Sequence, residues 1–122
     1  MTPAPVVTVV EFTDPGCPWA FSAEPFRWRM LWLYGDQFDW QVRMVGLAAT
    51  AEEQAAKGFT PERLASAYKS IAREHRMPID AAPRTRLSGT LDACRAVVAA
   101  RLHQPAATRA LLRALRLSLI HI

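Results

Sequence analysis

The sequence predicts an α/β chain: one parallel strand–helix–strand unit followed by helices alone. Three observations carry this prediction. Val6-Val7-Thr8-Val9-Val10-Glu11-Phe12 is a short β-branched run closed by turn residues, the pattern of a buried strand. Phe38 to Val45 alternates apolar and polar residues, as a strand with one covered face does. Beyond Gly58 the chain shows helix starts, helix-spaced apolar residues and proline breaks, with no further strand pattern.

Residues 1–5 read as a loose, proline-containing lead. After the first strand, Thr13-Asp14-Pro15-Gly16 is a turn, because proline presets φ and glycine permits positive φ. Pro18 suits the first position of a helix, where its missing N–H costs nothing. That helix is expected over 18–34, kinked at Pro25, which removes one hydrogen bond. Phe21, Pro25, Trp28, Leu31 and Trp32 share much of one face and are expected to pack on the sheet. Gly35 is expected to close the helix as a left-handed cap. The helical crossover makes the second strand a parallel, right-handed partner of the first.

Residues 46–58 read as a loop or loose helix. Thr60-Pro61-Glu62 is a helix start, with Phe59 and Leu64 at staple positions. This helix should reach His75 or Arg76 with Leu64, Ala67, Tyr68 and Ile71 facing inward, and Met77-Pro78 and Pro83 end it. Ser88 or Thr90 caps the next helix, whose apolar face carries Leu91, Cys94, Val97, Val98 and Leu102. Gln104-Pro105 breaks it, and a last helix is expected over 105–116.

This reading leaves Cys17 at the N-cap of the first helix. First-turn N–H groups and the macrodipole favour negative charge there, so the position favours a thiolate, the nucleophilic form of the sulfur. Glu11 and Asp14 flank it; Asp14 is a natural turn-former, and an acid beside a thiol can also move protons. Trp19 either rims a substrate groove or packs in the core. Cys94 lies at an apolar helix position and reads as a small core residue rather than a resolving thiol. His75 and His103 sit at helix ends, where a cation is favoured, and are too isolated to suggest a metal site.

Phe12-Thr13-Asp14-Pro15-Gly16-Cys17-Pro18-Trp19 resembles the opening of DsbA-like thioredoxin-fold proteins. Within them it is most similar to the FrnE-type branch, related to the kappa-class glutathione transferases and 2-hydroxychromene-2-carboxylate isomerases. The resemblance implies a thioredoxin-like domain whose first half is the strand–helix–strand unit, here 1–46. It also implies a helical insertion, here 47–116, and a thiol-disulfide oxidoreductase activity. Cys17 would be the attacking sulfur, with Pro18 and Trp19 beside the substrate or glutathione. The family's second cysteine falls at Ala20, which has no redox chemistry. A mixed disulfide on Cys17 would then need an external thiol, with glutathione as co-substrate. Two other readings stand beside this one: a glutathione-binding transferase or isomerase, and a redox-silent binding module. The family's returning strands, with their cis-proline loop, have no counterpart in the sequence, so the chain is expected to be the N-terminal portion of the fold.

Composition narrows the partners. At 122 residues with 51% hydrophobic and 21% charged residues, the chain is an ordinary one-domain globule. No run approaches the roughly 18 apolar residues of a membrane span, so no membrane partner is expected. Of the 15 basic residues only Lys57 and Lys69 are lysine, and the arginines are scattered from Arg27 to Arg116. Nucleic-acid binding is therefore not expected either. The expected partners are protein or small-molecule thiols and disulfides. The lead has no basic region ahead of an apolar run, and two cysteines make no disulfide framework; both point to the cytoplasm. No cofactor or metal is expected. Leu117-Ser118-Leu119-Ile120-His121-Ile122 reads as the translation of a widely used transposase adapter end, so 117–122 is expected to be a non-native tail and His121 to carry no function. A two-stranded sheet has marginal stability alone, so self-association through an exposed strand edge is expected.

Overall fold

In a computed structural model of the chain, which describes residues 4–121, two parallel strands are followed by helices. Strands β1 (Val7–Thr13) and β2 (Phe38–Met44) pair from Val7 opposite Phe38 to Thr13 opposite Met44. Between them lie α1 (Pro18–Ser22), α2 (Glu24–Tyr34) and a 3-10 turn, Gly35–Gln37. After β2 come α3 (Ala51–Ala56), α4 (Pro61–His75), α5 (Leu91–His103), a 3-10 turn (Pro105–Ala107) and α6 (Thr108–His121). Residues 1–3 of the expected lead, the side chain of His121 and Ile122 of the expected tail lie outside the described residues.

Local signals placed several of these elements. Thr60 caps α4 by accepting the Arg63 N–H at 3.2 Å, with Pro61 as the first helical residue. The helix closes on Arg76, which takes the left-handed conformation at φ 54°. Thr50 caps α3 in the same way, accepting from the Glu53 N–H at 3.1 Å. Met77 and Pro78 follow α4 as expected.

Several expectations need correction. The helix foreseen over 18–34 is two helices with a break at Ala23. Pro25 cannot donate to the preceding turn, so the chain turns and uses proline near a new helix start. Gly35 is not a left-handed cap: its φ is −60°, and it opens the 3-10 turn. The last helix begins at Thr108 and continues past Arg116 to His121. Along it, Ile120 is buried in a core cluster with Phe21, Tyr68, Ile71 and Ile79. In α4, Tyr68 and Ile71 face inward, whereas Ala67 is exposed. In α5, Cys94 and Val97 are buried and Leu102 is exposed.

The largest correction concerns β1 and α2. One face of the sheet is covered: Val42 packs with Val97 of α5 and Leu112 of α6, joined by Trp40 and Met44. Thr8, Val10 and Phe12 alternate onto the other face and are all exposed, so β1 is not the buried strand its composition suggests. The aromatic stripe of α2 is not core either: Trp32 is 84% exposed and Trp28 and Pro25 are also exposed, leaving Phe21 of α1 as the buried member.

An ionic stripe occupies the inner side of α2. The buried Glu24 carboxylate accepts from Arg116 Nη1 at 3.1 Å and also pairs with Arg113. Arg27 pairs with Glu11 of β1. Arg116 in turn donates to Thr13 Oγ1 at 2.6 Å and lies 3.8 Å from Glu11, whose other oxygen accepts the Trp40 indole N–H at 2.9 Å. Burial pushes the Arg27 pKa down, opposed chiefly by the Glu11 charge. Charges removed from water need such mutual satisfaction, or each costs several kcal/mol.

This network yields a test. Glu24→Leu strands the buried Arg116 guanidinium and is expected to destabilise the chain by about 3–5 kcal/mol, read from the urea midpoint at unchanged slope. The double variant Glu24→Leu/Arg116→Met should recover part of that loss. A single variant as stable as the parent would show that the network contributes nothing.

Candidate functional site

The site begins where β1 ends. Asp14 Oδ1 accepts the Gly16 N–H at 2.8 Å, and the Asp14 carbonyl accepts the Cys17 N–H at 3.3 Å. This closes a tight turn that delivers Cys17 to the N-cap of α1, with extended backbone at φ −87° and ψ 113°. The Cys17 carbonyl then accepts the Phe21 N–H at 3.1 Å as the first helical bond. Pro18 occupies the start of α1, as foreseen. Gly16 is needed here for a different reason from the one expected. Its φ is not positive, but a Cβ would stand 2.7 Å from Thr90 Cγ2.

Cys17 is half-buried and free. Two features depart from the expected N-cap thiolate site. The sulfur makes no capping hydrogen bond, and the helix behind it has only 5 residues. The macrodipole therefore comes from a single short helix rather than the long one foreseen. Trp19 is 52% exposed, with its ring edge-on to His75 of α4 at 5.1 Å between centroids. Trp19 is therefore not packed in the core. Ala20 lies in α1 and is half-buried, one turn from Cys17.

Behind the turn lies the group that composition underplays. Asp14 is 0% exposed. Its Oδ2 accepts from the Leu47 N–H at 2.9 Å, the Thr90 hydroxyl at 2.9 Å and the Cys94 thiol at 3.4 Å. Thr90 does precede α5 as its N-cap residue, but its side chain makes no cap bond and serves Asp14 instead. Asp14 is thus a turn-former and also the anchor between the strand–helix–strand unit and α5. The Asp-Pro-Gly run announces the turn; nothing local announces partners 76 and 80 residues away.

Cys94 is buried and free. Burial first, then the Asp14 charge and the hydrogen bond donated to Asp14, push its thiol up to about 11. These favour the neutral, unreactive form. Tyr68 of α4 is also shifted upward, first by burial, and the charges of Cys17 and Asp14 add to the shift while Arg84 opposes it. The Arg84 guanidinium stands 5.2 Å over the Tyr68 ring. Tyr68 therefore lies within electrostatic reach of Cys17, a neighbour that helical periodicity marked only as inward-facing. Two cavities of about 520 and 460 Å³ open along β2 and α5, and neither has Cys17 in its wall. Among the described residues no cluster of His, Cys, Asp or Glu is arranged to hold a metal ion.

The Cys94 environment gives a pH-dependent expectation. Its folded pKa is raised from 9.0 to about 11, so the unfolded chain releases this proton first. The stability linked to this proton is present below pH 9 and lost as pH rises through about 11. The urea midpoint should fall over that window, and Cys94→Ala should flatten the fall. At neutral pH iodoacetamide should label Cys17 alone until the chain is unfolded. Equal labelling of both thiols in the folded chain would contradict this picture.

Comparison with known proteins shows the fold. No family model matches the chain, and no curated protein matches it. Among solved structures, the chain is similar to one described as "a putative protein disulfide isomerase from Nitrosomonas europaea". The TM-score is 0.63 at 18% sequence identity, with 93% of this chain matched. The chain spans about half of that structure, 54% of its length. The architecture is thus that of a thioredoxin-like strand–helix–strand unit carrying a helical part.

Proposed function

We propose that this chain is a thiol-disulfide oxidoreductase of the DsbA-like type, nearest the FrnE branch, working through Cys17 alone. The observation that carries this reading is the place of Cys17. It is half-buried at the first helix mouth after β1, in a fold similar to that of a disulfide isomerase, while the other cysteine is buried against a carboxylate. The Asp14 anchor supports it by fixing the loop that presents the sulfur. Trp19 supplies an apolar rim.

The step is a two-stage exchange. The Cys17 thiolate attacks one sulfur of a substrate disulfide; that S–S bond breaks, a mixed disulfide forms, and the other sulfur leaves as thiolate with the bonding electrons. Ala20 cannot resolve the mixed disulfide. An external thiolate of the glutathione class attacks the substrate sulfur, and Cys17 leaves as thiolate. The external thiol supplies the electrons. A thiol-rich, reducing compartment such as the cytoplasm suits that requirement.

The test is glutathione-dependent reduction of bis(2-hydroxyethyl) disulfide. Cys17→Ser should abolish activity, and Cys94→Ala should retain it. Ala20→Cys should release reduced substrate in a single turnover without glutathione, leaving an intramolecular disulfide at Cys17 that glutathione must reduce before the next turnover. Glutathione binding that survives Cys17→Ser, without disulfide reduction, would replace this reading with the transferase or isomerase one. Neither activity nor binding would leave a redox-silent module.

Self-association belongs to the same proposal. The exposed Val10 and Phe12, the exposed apolar residues of α2 and the unpaired edge of β1 support it, since such edges recruit other strands. Size-exclusion chromatography with light scattering should show concentration-dependent oligomers. A monodisperse monomer across a hundredfold concentration range would end the idea.

A further inference from the structure

The cavity of about 520 Å³ beside β2 is walled by Trp40 and Arg43 of the strand and by Arg101, Leu102, Thr108 and Arg109 near the α5–α6 junction. Its size falls within the range of small-molecule sites. Three arginine residues, Arg43, Arg101 and Arg109, line this one space, and its lining contains no carboxylate. None of the three is neutralised by an acid among the described residues. Arg43 donates to Gln41 and to the Val42 carbonyl. Arg109 lies over the Trp28 ring at 5.8 Å. Arg101 shares a helix turn with exposed Leu102 and makes no ion pair among the described residues. Elsewhere in the fold the inward arginines, Arg27 and Arg116, are matched by Glu11 and Glu24.

A second observation points the same way. Thr108 is 8% exposed and its hydroxyl has no hydrogen-bond partner among the described residues, a cost that native interiors rarely leave standing. It is also the first residue of α6, a helix of 14 residues whose amino-terminal end adds partial positive charge. Fixed positive charge focused in an apolar-walled cleft attracts anions, and guanidinium groups match the geometry of carboxylate and phosphate oxygens.

We propose that this cavity binds a small organic anion, a carboxylate or phosphate carried on an apolar body. The head group takes the guanidinium groups and the helix end, and the body lies against Trp40 and Leu102. The site is independent of Cys17, so its failure and the failure of the redox reading are separable.

The test is calorimetric titration of the full chain with phenyl phosphate and with benzoate, with inorganic phosphate and benzyl alcohol supplying charge alone and apolar body alone. Saturable one-to-one binding of phenyl phosphate or benzoate is expected, with affinity falling as salt rises. Each control should bind at least about tenfold more weakly. Arg101→Gln and Arg43→Gln should each weaken binding by about tenfold, whereas Cys17→Ser should leave it unchanged. Arg101 is half-exposed and unpaired, so its replacement leaves the fold intact, verified by circular dichroism. Absence of saturable binding overturns the proposal. So does binding indifferent to both arginine variants, or benzyl alcohol binding as tightly as the anions.

Discussion

Buried where no water reaches it, the Asp14 carboxylate accepts hydrogen bonds from its own turn, from the loop after β2 and from two side chains of the α5 start. A charge at such depth is tolerated only when donors surround it. That requirement fixes three segments at once. Gly16 must lack a side chain because Thr90 closes over the turn. Thr90 gives up capping α5 to reach the carboxylate. Cys94 favours the neutral thiol first because it is buried, then because it faces and donates to the same carboxylate. The position of Cys17 follows, since its N–H is tied to the Asp14 carbonyl.

A second constraint acts at the same carboxyl end of β1. Glu24 and Arg116 are both buried, and their pairing joins α2 to α6. Arg116 continues to Thr13 and approaches Glu11, so helix and strand share one guanidinium. Such an arrangement contributes orientation more than net stability, because desolvation offsets most of the Coulomb attraction. It also explains why the aromatic residues of α2 point outward: the inner side is already filled by ions and their partners.

The two anchors leave Cys17 on a short helix with solvent on one side and Tyr68, Trp19 and His75 nearby. The chemistry proposed for it is sulfur exchange with a partner that comes from outside. The arginine-walled cavity lies in a different part of the molecule, along β2, and draws on a different physical property: positive charge without matching acids. The two proposed sites thus lie on separate surfaces of one small chain.

How much of this was legible in the residues depends on range. The strand–turn–helix opening, Cys17 at the helix mouth, the parallel second strand and the Thr60-Pro61 helix start were all readable. Each arises from backbone preferences within a few neighbours. Periodicity misjudged β1 and the Trp28–Trp32 face, because it assumes that apolar stripes turn inward and cannot see that Glu24 and Arg27 have already taken the inner side of α2. By itself the sequence determined where helices begin, where turns fall and which sulfur stands at a helix start. Only the tertiary structure decided that Asp14 would meet Thr90 and Cys94, that Arg116 would reach Glu24, and that Arg43, Arg101 and Arg109 would share one cavity. Those partners come from distant parts of the chain, and packing rather than local preference selects them.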